Sequence, residues 1–107
     1  MWSSRPEERL YELLIQRFGC EDVIHHISVN NYRIDFYVKS CNTYVQLDGL
    51  YWHGLDRPYE QLCTGPQKSK YDRDRLCDAY FTLKELRLIR ITDRELKDDE
   101  NAALSRI

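Results

Sequence analysis

Two aspartates set the chemical question. Asp35 sits in "RIDF" and Asp48 in "QLDG", each on or at the end of a short apolar run, with a tight turn between the runs. If those runs are antiparallel neighbours, their carboxylates come within reach of one cation. Carboxylates, a backbone carbonyl and water are the oxygen donors that fill the octahedral shell of Mg²⁺. His53 follows Asp48 by five residues. Its imidazole could take a proton from water or give one to a leaving oxygen beside such a cation. Gln46 precedes Asp48 by two residues, so both share one face of a strand, where its amide could offer a neutral oxygen. The plain alternatives are an exposed strand carboxylate for Asp35 and a hydrogen-bonded structural histidine for His53.

Other residues could join this chemistry. Tyr51 and Trp52 could stack on a base or cover the sheet. Glu7 falls in the middle of an apolar helix face, where a solvated charge is not expected, with Glu8 at its edge. Glu7 fits either a capping box or a carboxylate aimed into a site. The segment "KSKYDRDR", Lys68 to Arg75, is either a solvated helix face or a patch that meets phosphates. His25 and His26 are adjacent in a predicted strand, face opposite ways, and are given no role.

These residues need elements to hold them. In "SSRPEERLYELLIQRFG", Ser4 can cap a helix, Pro6 suits its first turn and Gly19 stops it. Leu10, Tyr11, Leu13, Leu14, Ile15 and Phe18 form its apolar face. Strands are predicted at Val23–Val29, Tyr32–Val38 and Thr43–Asp48, with Asn30–Asn31 and Ser40–Asn42 as turns. A loop through Pro58, Gly65 and Pro66 leads to a helix over "KSKYDRDRLCDAYFTLKEL", with Tyr71, Leu76, Ala79, Tyr80 and Leu83 expected inward. "RLIRIT" is a fourth strand, and Thr92 with Glu95 forms a capping box for a last helix. The order is α-β-β-β-α-β-α: an α/β (α+β) domain with a mixed central sheet flanked by helices.

Bulk properties narrow the class. The 107 residues suit one domain, 1–107, with one modest core. No apolar run approaches the roughly 20 residues of a membrane helix, and the N-terminus lacks the form of a signal peptide. A chain in the cytoplasm is expected. Cys20, Cys41, Cys63 and Cys77 form no C-x-x-C, so free thiols are expected and a zinc knuckle is not. The net charge of −2 and pI near 5.9 are unlike those of a free-standing duplex binder, whose affinity comes largely from neutralising phosphates.

Together the motifs resemble the PD-(D/E)XK nuclease superfamily, whose core is an αβββαβ restriction-endonuclease-like arrangement. The nearest likeness is to the branch of very-short-patch-repair mismatch endonucleases and the EDxHD homing endonucleases. "SRPE" at Ser4–Glu7 matches that branch's capped helix and gives Glu7 the glutamate role. Asp35 in "RIDF" matches the metal-binding aspartate of the second strand. "DGLYWH", Asp48–His53, matches the end of the third strand and hands roles to Asp48, Trp52 and His53. "YDRDR" at Tyr71–Arg75 resembles the next helix's motif, making Asp72 the final acid and Asp74 the reserve. The likeness covers about residues 4–95.

This chain has Gln46-x-Asp48 where the superfamily has Glu-x-Lys, so His53 must do the missing lysine's work. Leu50 and Leu55 stand where mismatch-repair enzymes place zinc ligands, which argues against a structural zinc and against that identity.

The resemblance implies a metal-dependent endonuclease for double-stranded DNA, most simply the catalytic domain of a homing endonuclease. Asp35, Asp48 and the Leu47 carbonyl would hold Mg²⁺ or Mn²⁺, and Glu7 would orient water or His53. Tyr51, Trp52, Lys68 and Lys70 would touch DNA. The acidic pI implies a separate DNA-binding domain on a longer chain, and double-strand cleavage implies a possible homodimer. The rival readings are a mismatch-repair endonuclease and a degenerate nuclease fold that only binds nucleic acid.

Overall fold

The computed structural model describes residues 5–49 and 65–107. Helix α1, Arg5–Phe18, leads into β1 (Val23–Val29), β2 (Tyr32–Val38) and β3 (Thr43–Asp48). Helix α2 (Gly65–Leu83), strand β4 (Arg87–Thr92) and the short helices α3 (Asp93–Asp98) and α4 (Glu100–Leu104) complete the chain. The four strands match their predicted bounds. The four-stranded sheet has the order β1-β2-β3-β4. Its first two pairings are antiparallel and the β3–β4 pairing is parallel, so the mixed sheet expected from the sequence is present. No helix among the described residues is long and apolar enough to cross a membrane.

The local signals act as their chemistry dictates. Asn30 and Asn31 have φ of 50° and 68°, the left-handed pair of a tight hairpin turn, and Asn42 at 49° shapes the next turn. Gly19 ends α1 at φ 94°, its N–H donating to the Ile15 carbonyl at 2.8 Å. At α3 the Glu95 N–H donates to Thr92 Oγ1 at 3.0 Å, and the Thr92 N–H donates to Glu95 Oε1 at 3.3 Å, a complete capping box. The Ser4 cap lies outside the described residues.

Helices cover both faces of the sheet. On one face, Leu10, Leu13 and Leu14 of α1 pack with Phe36, Val38, Val45, Leu47 and Ile91, closed by Leu96, Ala103 and Leu104. On the other, Cys77 and Phe81 of α2 pack with Ile34, Tyr44 and Leu88. Cys20, Cys41 and Cys77 are free thiols.

Helix α2 corrects two expectations. It begins at Gly65, three residues before the predicted start, because glycine and proline are tolerated in a first turn, where N–H groups lack helical partners. Its inner stripe is Asp74, Cys77, Asp78 and Phe81, with the expected Tyr80 packed beside it, while Ala79 is exposed and Leu76 and Leu83 are 62% and 79% exposed. Apolar content misplaced the stripe because two of its four positions are acids. Their counter-charge lies on another strand.

Candidate functional site

Asp35 marks a break in the sheet. Strands β2 and β3 pair at Val38↔Thr43, Tyr37↔Tyr44 and Phe36↔Val45, and the ladder stops there. Beyond it, side chains replace the backbone rungs. The Leu47 N–H donates to Asp35 Oδ2 at 2.9 Å, and the Asp35 N–H donates to Gln46 Oε1 at 3.1 Å. Gln46 thus holds the Asp35 backbone.

On the other side of β2, the β1–β2 ladder skips the position where His26 faces Asp35, with pairs at His25↔Phe36 and Ile27↔Ile34. The strands change faces there. Val23 and Phe36 belong to the α1 side, whereas Ile27 and Ile34 belong to the α2 side.

His26 is the pivot. Its φ of 59° is left-handed, a region uncommon for non-glycine residues, though histidine enters it more often than most. This overturns the reading of His25 and His26 as side chains that face opposite ways. Alternation requires extended backbone, and His26 is not extended. Both imidazoles turn to the same carboxylate oxygen: Glu7 Oε2 is 2.9 Å from His25 Nε2 and 3.1 Å from His26 Nε2. Their rings lie 3.7 Å apart, and His25 also stacks on Phe36 at 5.0 Å. Glu7 is 5% exposed, so the charge on α1's apolar face is partnered inside the protein.

Asp48 is 1% exposed and tied to a residue that sequence reasoning missed. Arg90 of β4 donates from Nη1 to Asp48 Oδ1 at 2.9 Å and Oδ2 at 3.2 Å. Its Nε donates to Asp78 Oδ1 at 2.6 Å, and its Nη2 to the Asp74 carbonyl at 3.3 Å. One guanidinium therefore gathers acids from β3 and α2. The signal was an arginine in mid-strand on the α2-facing side, since Leu88, Arg90 and Thr92 alternate with Ile89 and Ile91.

The electrostatics link these groups. Burial pushes the Asp35 carboxyl above the usual carboxylate range, although the Leu47 N–H opposes this. Glu7 and Asp48 raise it further, while His26 lowers it. Burial would lower the Arg90 pKa, but Asp48, Asp78 and Asp74 more than offset that and raise it. The charges of Glu7 and Asp48, on two other elements, thus bear on Asp35, and Asp48 is itself partly neutralised by Arg90. Asp35 and Asp48 are the described carboxylates from which an oxygen-rich cation site would be built, with Asp48 already engaged by Arg90.

The remaining candidates divide. Asp74 is buried beside Arg90, whereas Asp72 is exposed. Glu8 and Lys68 are half-buried and Lys70 is exposed. Tyr51, Trp52 and His53 lie outside the described residues, as do Leu50 and Leu55.

No protein-family model matches the chain, and no curated protein matches it in sequence. A solved structure does match in fold. The chain is similar to the catalytic domain of the homing endonuclease I-Bth0305I, with a TM-score of 0.65 at 20% identity, covering 97% of this chain and 91% of that one.

Proposed function

We propose that this chain is a metal-dependent DNA endonuclease domain of the homing-endonuclease type, within the PD-(D/E)XK superfamily. The observation that carries the proposal is the buried Asp35 carboxyl at the break in the sheet, on which the charges of Glu7 and Asp48 both act, in a fold shared with a homing endonuclease catalytic domain. Asp35, Asp48 and the Leu47 carbonyl would hold Mg²⁺ or Mn²⁺. The chemistry such an ion supplies is polarisation of the scissile phosphate and a lowered pKa for its bound water. Gln46 positions Asp35 through the backbone. Glu7 orients water or His53, and His53 exchanges the proton. Asp74, rather than Asp72, serves as the helix acid, because it lies beside Arg90.

Tyr51, Trp52, Lys68 and Lys70 contact duplex DNA in this reading. A net charge of −2 supplies little phosphate affinity. Target choice therefore belongs to a separate DNA-binding domain, and double-strand cleavage to a homodimer.

The Asp48–Arg90 contact favours a second reading, a nucleic-acid-binding module without catalysis, because Asp48 already has a counter-charge. Both readings meet one assay. The protein, alone and fused to a sequence-specific DNA-binding domain, is incubated with supercoiled plasmid and Mg²⁺ or Mn²⁺, beside Asp35→Asn and His53→Ala. Nicking that both substitutions abolish supports the endonuclease. Duplex binding by the fusion without cleavage under either metal supports the binding module.

A further inference from the structure

We propose that Glu7, His25 and His26 form a binding site for a borderline divalent transition metal of the zinc and cobalt class, beside the Asp35 carboxylate and distinct from it in ligand chemistry. Two imidazoles and one carboxylate suit borderline cations, whereas Mg²⁺ prefers oxygen ligands and retained water. One ligand atom from each residue lies within 4.8 Å of the other two. Metal–ligand bonds of about 2.1 Å at tetrahedral angles place ligand atoms roughly 3.4 Å apart. Seating an ion therefore needs the Glu7 contacts of 2.9 and 3.1 Å to open by only a few tenths of an ångström.

A second, independent observation is the backbone. Consecutive residues of a regular strand cannot direct two imidazoles to one point. The left-handed φ of 59° at His26 makes it possible here, and strained backbone of this kind gathers at ligand sites. The His25 ring is already fixed, tilted against Tyr11 at 5.5 Å and stacked on Phe36 at 5.0 Å. Glu7 is buried on α1, so a bound ion would clip the first helix to β1. Three protein ligands also leave a coordination position for water or a phosphate oxygen.

Binding is tested without reference to cleavage. The protein is titrated with Zn²⁺ by calorimetry and with Co²⁺ by visible absorption, and Mg²⁺ is added in excess. The variants are His25→Asn, His26→Gly, Glu7→Gln and, as a control, Glu85→Gln. Glycine accepts positive φ, so His26→Gly removes an imidazole while keeping the backbone. The expected result is one Co²⁺ per chain with ligand-field bands that excess Mg²⁺ does not bleach. Each of the first three variants weakens binding by roughly 100-fold or more, since even outer-sphere changes cost 10–100-fold. Glu85→Gln stays within about threefold, as expected for an exposed carboxylate on the turn between α2 and β4, outside the ligand set. The proposal is overturned by absent binding, by affinity that survives His26→Gly and His25→Asn, or by a thiolate charge-transfer band assigning the ion to cysteine.

Discussion

Arg90 holds both carboxylate oxygens of Asp48 with a single nitrogen, at 2.9 and 3.2 Å, across the parallel β3–β4 pair. With the side chains 16% and 1% exposed, this pair lies mostly out of water. Removing one partner leaves the other charge buried and unmatched. Arg90→Ala is expected to destabilise the fold by about 3–5 kcal/mol in urea unfolding. Arg90→Lys should lose part of that, because an ammonium lacks the fork that reaches Asp48, Asp78 and the Asp74 carbonyl together. An Arg90→Ala protein as stable as the wild type would remove this pair from any account of the core.

Asp35 sets a pH dependence. Its folded carboxyl titrates above the ordinary value because burial, and then Glu7 and Asp48, oppose its charge. The folded state therefore holds the proton more tightly than the unfolded chain does. In metal-free protein this group costs nothing below the ordinary carboxylate pKa of about 4. The cost grows as pH rises through the raised folded value. Asp35→Asn escapes this cost and its amide oxygen can still accept from Leu47. Unfolding in chelator from about pH 3 to 7 should show the variant's advantage increasing with pH. An advantage that shrinks instead contradicts the assigned sign.

His26 should reverse an ordinary preference. Within a strand valine is normally favoured over glycine. At φ 59° a β-branched side chain is strained and glycine is not. His26→Val is therefore expected to be less stable than His26→Gly by about 1–3 kcal/mol. Thermal melts of the two variants decide it; valine equal to or above glycine would mean an extended backbone at this position.

The exposed face of α2 gives a contrast. Leu76→Lys and Leu83→Lys should change stability by no more than about 0.5 kcal/mol, because both side chains face solvent. Phe81→Ala, emptying a buried site five residues past Leu76, should cost about 3–5 kcal/mol. A large loss at Leu76 would restore the inward stripe first expected from apolar content.

What could be read from the chain depended on how local its cause was. The strands were legible because asparagine turns and alternating apolar residues act within a few positions. Asp35, Asp48 and Glu7 stood out as charges in apolar surroundings, and the charges of Glu7 and Asp48 do act on Asp35. Arg90 was passed over because its partners lie 42 residues back, at Asp48, and on α2. The His25–His26 arrangement was hidden by a backbone angle that the period-two rule assumes away. The inner stripe of α2 was hidden by the same pairing that hid Arg90, since acids read as surface until their counter-charge is known.

The break between β2 and β3 also equips the protein with a reporter. The Leu47 amide is bonded to the Asp35 carboxylate, where a regular ladder would offer a strand carbonyl. Whatever draws on that carboxylate, whether a proton, a cation or a neighbouring charge, acts on this one N–H. In a ¹⁵N-labelled sample its peak should move along the titration curve of Asp35 itself. The backbone of a buried strand would thus record the ionisation of a side chain that gives no amide signal of its own.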